Sequence, residues 1–299
     1  MTDIVVLGST NMDLVAYVTR APERGETVTG REFRTVPGGK GANQAVAAAR
    51  AGAETSMIGA VGSDEHGARL RASLEGAGVI TDLLRTAEGP SGTAHIVVDD
   101  GGGNAIVVIP GANASLTSLT PGDEALIATA DALLLQLELP LPVVVAGAVS
   151  ARRAGVRTIL TPSPVVDLPA ELLDATDLLV PNQHEAAALC GIADPGAAAE
   201  ALLRRVPEVV ITLGAEGCLH AARGAAPLLV PAPAVKAVDT TAAGDTFVGA
   251  LAVALAEGSP VPSALHWAAA AASLSVQREG ASSSMPYRSE IDARAGAAS

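Results

Sequence analysis

The chain has 299 residues, 49% of them hydrophobic and 17% charged, a globular composition long enough to bury a substantial core and poorly matched to disorder. Acidic residues outnumber basic ones 32 to 19, giving a net charge of −13, which argues against a surface for the nucleic-acid backbone; an aromatic content of 2% argues against stacking of unpaired bases. Cys190 and Cys218 form neither a disulfide framework nor a CxxC, and no signal segment or apolar run of membrane-spanning length is found, so the sequence reads as a soluble cytoplasmic protein.

A β-branched run at 4–7 reads as the first strand. No GxGxxG follows it, so a nicotinamide-dependent oxidoreductase would lack its phosphate fingerprint. Ser9-Thr10-Asn11-Met12-Asp13 comes next, where Asn11 and Asp13 can pair with neighbouring sugar hydroxyls or simply form an Asx turn. Residues 13–36 then break the pattern, with Val15-Ala16-Tyr17-Val18, a Pro/Gly-containing turn and an extended stretch at 26–33. Gly38-Gly39-Lys40-Gly41-Ala42-Asn43-Gln44 leads into a helix at 41–51. Its glycines let backbone approach a ligand while Lys40 and Asn43 supply hydrogen bonds. It is not a Walker A loop, since Gly41 follows Lys40, and a plain glycine-rich helix entry fits the pattern equally well.

A strand at 55–60 and a helix at 67–76 precede a second irregular region, 91–110, in which strands at 94–98 and 105–109 flank the hairpin signal Asp99-Asp100-Gly101-Gly102-Gly103-Asn104. The two irregular regions form either a small projecting sheet or ordinary edge strands. Strands at 132–136, 158–161, 178–180, 209–212 and 228–231 then alternate with helices at 142–154, 183–189, 196–205, 244–257 and 260–277. Such alternation implies a mostly parallel sheet covered on both faces, with ligands beyond the carboxyl ends of its strands. Glu138 stands just past one of those ends. Nothing separates independent domains, so 1–299 is read as one, with a small polar tail after Ile291 that is expected to fray.

Four further segments carry possible chemistry. Asn182-Gln183-His184-Glu185 places Asn182 and Glu185 on one helix face, suited either to the waters of a nucleotide-bound Mg²⁺ or to a capping box. Thr212-Leu213-Gly214-Ala215-Glu216-Gly217 ends a strand in a double-glycine turn that either meets phosphates or starts a hairpin. Thr240-Thr241-Ala242-Ala243-Gly244-Asp245-Thr246-Phe247 sets small residues and a carboxylate at a helix start, where N–H groups and the helix dipole bind anions; Asp245 is there as a base or as a mere cap. Ser275 to Ser284 is a Gly/Ser loop that either circles a monovalent cation or caps a helix.

Taken in order, Asn-x-Asp, GGKGAN, Asn-x-x-Glu, TLGxxG and DTTAAGDTF resemble the ribokinase family, also called the PfkB carbohydrate kinases, from about Ile4 to Asp292. The resemblance implies a three-layer αβα sandwich with a small β-sheet lid, built from segments at roughly 13–36 and 91–110, that also forms a homodimer contact. It implies ATP-dependent phosphorylation of D-ribose at O5. Asn11, Met12, Asp13, Gly39, Lys40, Gly41, Ala42, Asn43 and Glu138 then match sugar-binding positions. Asn182, Glu185, Thr212, Leu213, Gly214, Ala215, Glu216 and Gly217 match nucleotide positions, with Glu185 tied to Mg²⁺. Ala242, Ala243 and Gly244 match an anion hole, Asp245 the catalytic base, and Asp239, Thr241, Ser275, Arg278, Gly280 and Ser284 a K⁺ site. The helix start is expected to keep Asp245 ionised. Another sugar or nucleoside kinase of the same fold (for deoxyribose or fructose) and a non-catalytic sugar sensor are the competing readings.

Overall fold

The apolar runs become the strands of two sheets. The computed structural model describes residues 2–101 and 103–296; Gly102 of the hairpin signal and the end of the tail lie outside the described residues. In chain order the first strands are β1 (Asp3–Leu7), β2 (Asn11–Tyr17), β3 (Glu32–Gly38), β4 (Glu54–Gly62), β5 (Val79–Ile80), β6 (Leu84–Ala87), β7 (Gly92–Val98) and β8 (Asn104–Ile109). The remainder are β9 (Ala132–Leu135), β10 (Arg157–Leu160), β11 (Leu178–Leu179), β12 (Glu208–Thr212), β13 (Cys218–Ala222) and β14 (Leu228–Val230).

The large sheet runs β14-β13-β12-β11-β10-β9-β1-β4-β5, with β6 also on β4. Its pairings are parallel except at β12-β13 and β13-β14. Strand alternation divides the core in two. Ile4 and Val6 of β1 face the layer that contains helices Lys40–Arg50, Ala243–Ala256 and Val261–Ser275; Val5 and Leu7 face the layer that contains Leu141–Ala154, Gln183–Cys190 and Pro195–Leu202. This is the sandwich implied by the sequence. Among the described residues no helix is long and apolar enough to cross a membrane.

One close helix contact positions the site. Helix Ala243–Ala256 has ten consecutive buried residues, Asp245 through Ala254, and lies against helix Lys40–Arg50. Gly249 makes the approach possible, since a Cβ there would fall 2.5 Å from the Ala47 Cβ and 2.9 Å from the Gln44 carbonyl. One turn earlier on each helix, the same approach brings Asp245 to Asn43 and Gln44.

The small sheet has the order β3-β2-β7-β8, with β2 and β7 parallel and both edges antiparallel. It confirms the two irregular regions as one separate layer but corrects their bounds. The strand expected at 26–33 lies at Glu32–Gly38, because pairing begins where Tyr17 meets Glu32 and the stretch before it has no partner strand. β5, β6, β13 and the helices Pro121–Ile127, Ala170–Asp174 and Arg288–Gly296 were not legible as elements. The last of these corrects the fraying tail as far as Gly296: Ile291 is buried, the Trp267 indole donates to Asp292 at 2.8 Å, and Arg288 pairs with Glu257.

Candidate active site

The carboxyl ends of β10, β11 and β12 deliver Thr161, Val180, Asn182 and Thr212 to one cleft of about 200 Å³, closed on its other side by Lys40, Glu185, Thr240, Ala242, Ala243, Gly244, Asp245 and Val248. A larger cleft of about 540 Å³ lies at the opposite, amino-terminal edge of the sheet, lined by Arg152, Arg157, Asp177, Glu208 and Arg223. Size therefore does not identify the chemistry; convergence of a carboxylate with unpaired backbone donors does.

Those donors follow from the start of helix Ala243–Ala256. Its N-cap, Ala242, has φ 57° and ψ 17° and is the one non-glycine residue with positive φ among the described residues. Ala242 supplies no capping side chain, so the first N–H groups stay open. Ala243 N–H is directed back to the Thr240 carbonyl at 3.2 Å, while those of Ala242, Gly244 and Asp245 have no partner among the described residues. The open set thus differs by one from the 242–244 set that the sequence suggests. A left-handed alanine costs roughly 1–2 kcal/mol, and here it turns free donors toward a cleft, as strained residues at binding sites do.

Asp245 is only 8% exposed. Its Oδ2 accepts from Asn43 Nδ2 and its Oδ1 from Gln44 Nε2, both at 3.1 Å. Burial pushes its pKa up to about 6, with nearby Glu138 adding to the rise, against the charge of Lys40 and the two amide donors. This corrects the argument from the helix start alone: burial outweighs the features that favour the charge, and the charge of Lys40, with the two amide donors, limits the rise.

The sugar-side residues surround Glu138. Its Oε2 accepts from the Ser9 hydroxyl, from Lys40 N–H at 3.0 Å and from Asn11 Nδ2 at 3.5 Å. Asn113 Nδ2 donates to Asn11 Oδ1 at 2.8 Å and thereby fixes the Asn11 amide. Gly39 has φ 93°, and a Cβ there would come 2.7 Å from Asn11 N, so this corner of the loop needs glycine. Met12 is fully buried and its side chain belongs to the core, and Ala42 is buried too. Burial, with the negative charges of Glu138 and Asp245, pushes Asp13 up to about 7 against the pull of Lys40. Lys40 itself is held above its usual range: burial acts downward, but Asp245, Glu138, Glu185 and Asp13 outweigh it.

The upward shifts of Asp13 and Asp245 mean that the folded, ligand-free protein holds these protons more tightly than the unfolded chain. Their stabilising contribution is complete below the ordinary carboxylate range and is lost as pH rises through about 6 to 7. Asp13→Asn is therefore expected to raise the melting temperature at pH 8 by on the order of 5 °C, with the gain vanishing near pH 4. Melting curves across that range check this, and a gain independent of pH would contradict it.

At the far end of the cleft, Asn182 and Glu185 form the capping box that the sequence left open. Asn182 Oδ1 accepts from the N–H groups of His184 and Glu185, and Glu185 Oε2 accepts from Asn182 N, at 2.8–2.9 Å. The box uses one atom of each side chain and leaves Asn182 Nδ2 and Glu185 Oε1 available to the cleft. Of the run 212–217 only Thr212 lines it; Leu213 to Gly217 make the tight turn between β12 and β13, so the hairpin alternative is realised.

Among the cation-loop residues, Asp239 Oδ1 accepts from Thr241 N and Oγ1 at 2.9 and 2.6 Å, and Oδ2 from Gly280 N at 2.9 Å. Burial acts upward on Asp239, but these hydrogen bonds hold it below the usual carboxylate range. The carbonyls of Thr241, Arg278 and Gly280 accept no hydrogen bond among the described residues. Ser275 and Ser284 turn their hydroxyls onto the carbonyls of Ala272 and Ala281, and the Arg278 guanidinium pairs with Glu290, so any role of Ser275 or Arg278 falls to the backbone.

Ser9, Gln44, Asn113, Gln136 and Thr161 were not assigned from the sequence, although all five touch the candidate residues or their supports. Ser9 and Gln44 stand inside the two amino-terminal motifs, which was the one available signal.

The sequence matches the family described as pfkB family carbohydrate kinase over residues 1–288. It is 43% identical to a ribokinase of Bacillus subtilis over 296 residues, covering 98% of this chain and 99% of that protein. It is 40% identical to a ribokinase of Schizosaccharomyces pombe, with 98% and 97% covered. The fold superimposes on a structure of Arabidopsis thaliana ribokinase complexed with ribose and ATP with a TM-score of 0.93, at 35% identity and 99% coverage of both chains.

Proposed function

The chain belongs to the pfkB family of carbohydrate kinases, and from that premise we propose that it is an ATP-dependent kinase that phosphorylates D-ribose at O5, releasing ADP. The observation that carries the chemistry is the single cleft in which an ionisable, amide-held Asp245 adjoins a helix start with three open N–H groups.

In this reading Asp245 accepts the proton of the ribose 5-hydroxyl as its oxygen attacks the γ-phosphorus of ATP and the bond to the β,γ-bridging oxygen breaks. Asn11, Asp13, Lys40, Asn43 and Glu138 orient the sugar, with Gly39 and Gly41 letting backbone approach. Charge developing on the transferred phosphoryl group meets the open N–H groups of Ala242, Gly244 and Asp245. Ala243 N–H joins them on leaving Thr240. Asn182, Glu185 and Thr212 face the nucleotide, with the turn 213–217 beyond them. Mg²⁺ carried on the phosphates would neutralise their charge, and Glu185 Oε1 is free to hold one of its waters.

The loop 239–241 and residues 275–284 fit a monovalent cation: the Asp239 carboxylate and the Thr241 carbonyl stand on the segment that leads into helix Ala243–Ala256, and the Arg278 and Gly280 carbonyls, also without internal partners, stand on the second loop. K⁺ bound there would order that segment and add positive potential. Turnover is expected to fall severalfold or more when K⁺ is replaced by Na⁺; indifference would sink the cation assignment.

The small sheet serves as a lid that excludes water, which would otherwise compete as acceptor. Its outer strand β8 is exposed along its whole length, Val107 at 60%, and Phe33 of β3 at 63%. An apolar sheet edge of this kind supports homodimerisation through the lid. The free thiols of Cys190 and Cys218 accord with work in the cytoplasm.

ADP release measured across pentoses, hexoses and nucleosides tests the substrate. Ribose is expected to be preferred, because a site built to pair with hydroxyls rejects analogues lacking one. Ribose inactivity beside strong turnover of another acceptor would overturn the assignment, and ribose-induced thermal stabilisation without ADP formation would indicate a sensor.

A further inference from the structure

Gln44 stands directly behind the base. Its Nε2 donates to Asp245 Oδ1 and to Thr161 Oγ1, both at 3.1 Å, and its Oε1 accepts from Gln136 Nε2 at 2.6 Å. Gln44 is fully buried, Gln136 is 1% exposed, and neither lines the cleft, so Gln44 does not touch the substrates. The arrangement fixes which end of the amide meets Asp245. Turning Gln44 over would set its carbonyl oxygen against the carboxylate and its NH₂ against the NH₂ of Gln136, two repulsive contacts in a buried place. Asn43 treats the other carboxylate oxygen in the same way, presenting a donor at 3.1 Å.

Resting on the assignment of Asp245 as base, we propose that Gln44 is a positioning residue for the reaction: it presents an amide donor to Asp245 Oδ1, in an orientation supported by Gln136 Nε2 on its own Oε1, and so holds the carboxylate ionised and in one rotamer. Helix Lys40–Arg50 thereby carries sugar-facing groups at Lys40 and Asn43 and a support for the base at Gln44. The charged groups acting on Asp245 from the surrounding elements are Lys40 at the start of that helix, Glu138 after β9 and Asp13 on β2.

Gln44→Met keeps the volume and removes the donor. It is expected to lower kcat ten- to a hundredfold, to leave the ribose KM within about threefold, and to move the acid limb of the kcat/KM profile up by about one pH unit. Gln136→Met removes the donor to Gln44 Oε1 and loosens that side chain while its NH₂ still faces Asp245, so it shifts both quantities in the same direction by less. The double variant is expected to be no worse than Gln44→Met, since one residue acts through the other. A folded Gln44→Met enzyme with an unmoved acid limb, or with its loss confined to KM, overturns the proposal. Should Gln44→Met fail to fold, the Gln136→Met profile decides alone. A ¹³C NMR titration of the Asp245 carboxyl in wild type and variant, without substrates, reads the same shift independently of turnover. Wild-type inactivity on ribose would then count against the substrate, and an unchanged Asp245 titration against Gln44.

Discussion

Asp245→Asn is expected to lower kcat by about a thousandfold while the protein still folds and binds sugar and nucleotide. The substitution keeps the shape of the side chain and removes its capacity to take a proton. It also meets a constraint specific to this site. Both carboxylate oxygens accept from amide NH₂ groups, so an asparagine must turn its own NH₂ toward Asn43 or Gln44 and leave one donor without an acceptor. A lost buried hydrogen bond of that kind costs about 1–3 kcal/mol. Removing a carboxylate that burial already destabilises works in the other direction. The melting temperature is therefore expected to change by only a few degrees, so that lost turnover reports chemistry rather than unfolding. Near-normal turnover in a folded Asp245→Asn protein would remove Asp245 as the base.

Lys40→Met is expected to have the second largest effect, and on two observables at once. Lys40 is the only cation among the residues that line the cleft, and Asp245, Glu138, Glu185 and Asp13 all act on it. Its removal leaves the buried carboxylates facing one another. Breaking such an arrangement by deleting one partner costs roughly 3–5 kcal/mol, although protonation of Asp13, already near pH 7, offsets part of it. Loss of Lys40 also removes the charge that lowers the Asp245 pKa, so the acid limb of the activity profile should move upward. We expect kcat/KM for ribose to fall by at least a hundredfold, stability at pH 8 to drop, and part of that loss to recover near pH 5. Stability and pH profile both unchanged would show that the carboxylates do not depend on Lys40.

The sheet and its two helical layers were legible because alternating apolar runs and helical segments leave few other architectures. The motifs were legible for a different reason: glycine, a helix-start aspartate and paired amides have meaning at short range. What escaped depends on the third dimension. Gln44 and Gln136 are 92 residues apart, and Asn11 and Asn113 are 102 apart, and only the parallel order β9-β1-β4 and the loops beyond it bring them together. The rise of the Asp245 pKa follows from burial by helix Lys40–Arg50, through the contact at Gly249, which local sequence around Asp245 does not contain. Asn182 and Glu185 show two local readings coexisting. The capping box uses Asn182 Oδ1 and Glu185 Oε2, and the opposite atoms of the same side chains stay open to the cleft. The small sheet was visible as a break in the alternation, but the start of β3 was not, because the stretch before it, which has no partner strand, reads as extended too.

One base, one open set of backbone donors and one sugar pocket together make a ribose kinase, and ³¹P NMR of the purified protein with ATP, Mg²⁺ and D-ribose puts that to the test. The γ-phosphate resonance of ATP is expected to be replaced, mole for mole, by ADP and a phosphomonoester coupled to the ribose C5 protons, and Asp245→Asn is expected to leave the ATP spectrum unchanged over the same time. Consumption of ATP to inorganic phosphate with ribose untouched, or a phosphomonoester formed at the same rate by Asp245→Asn, would contradict it.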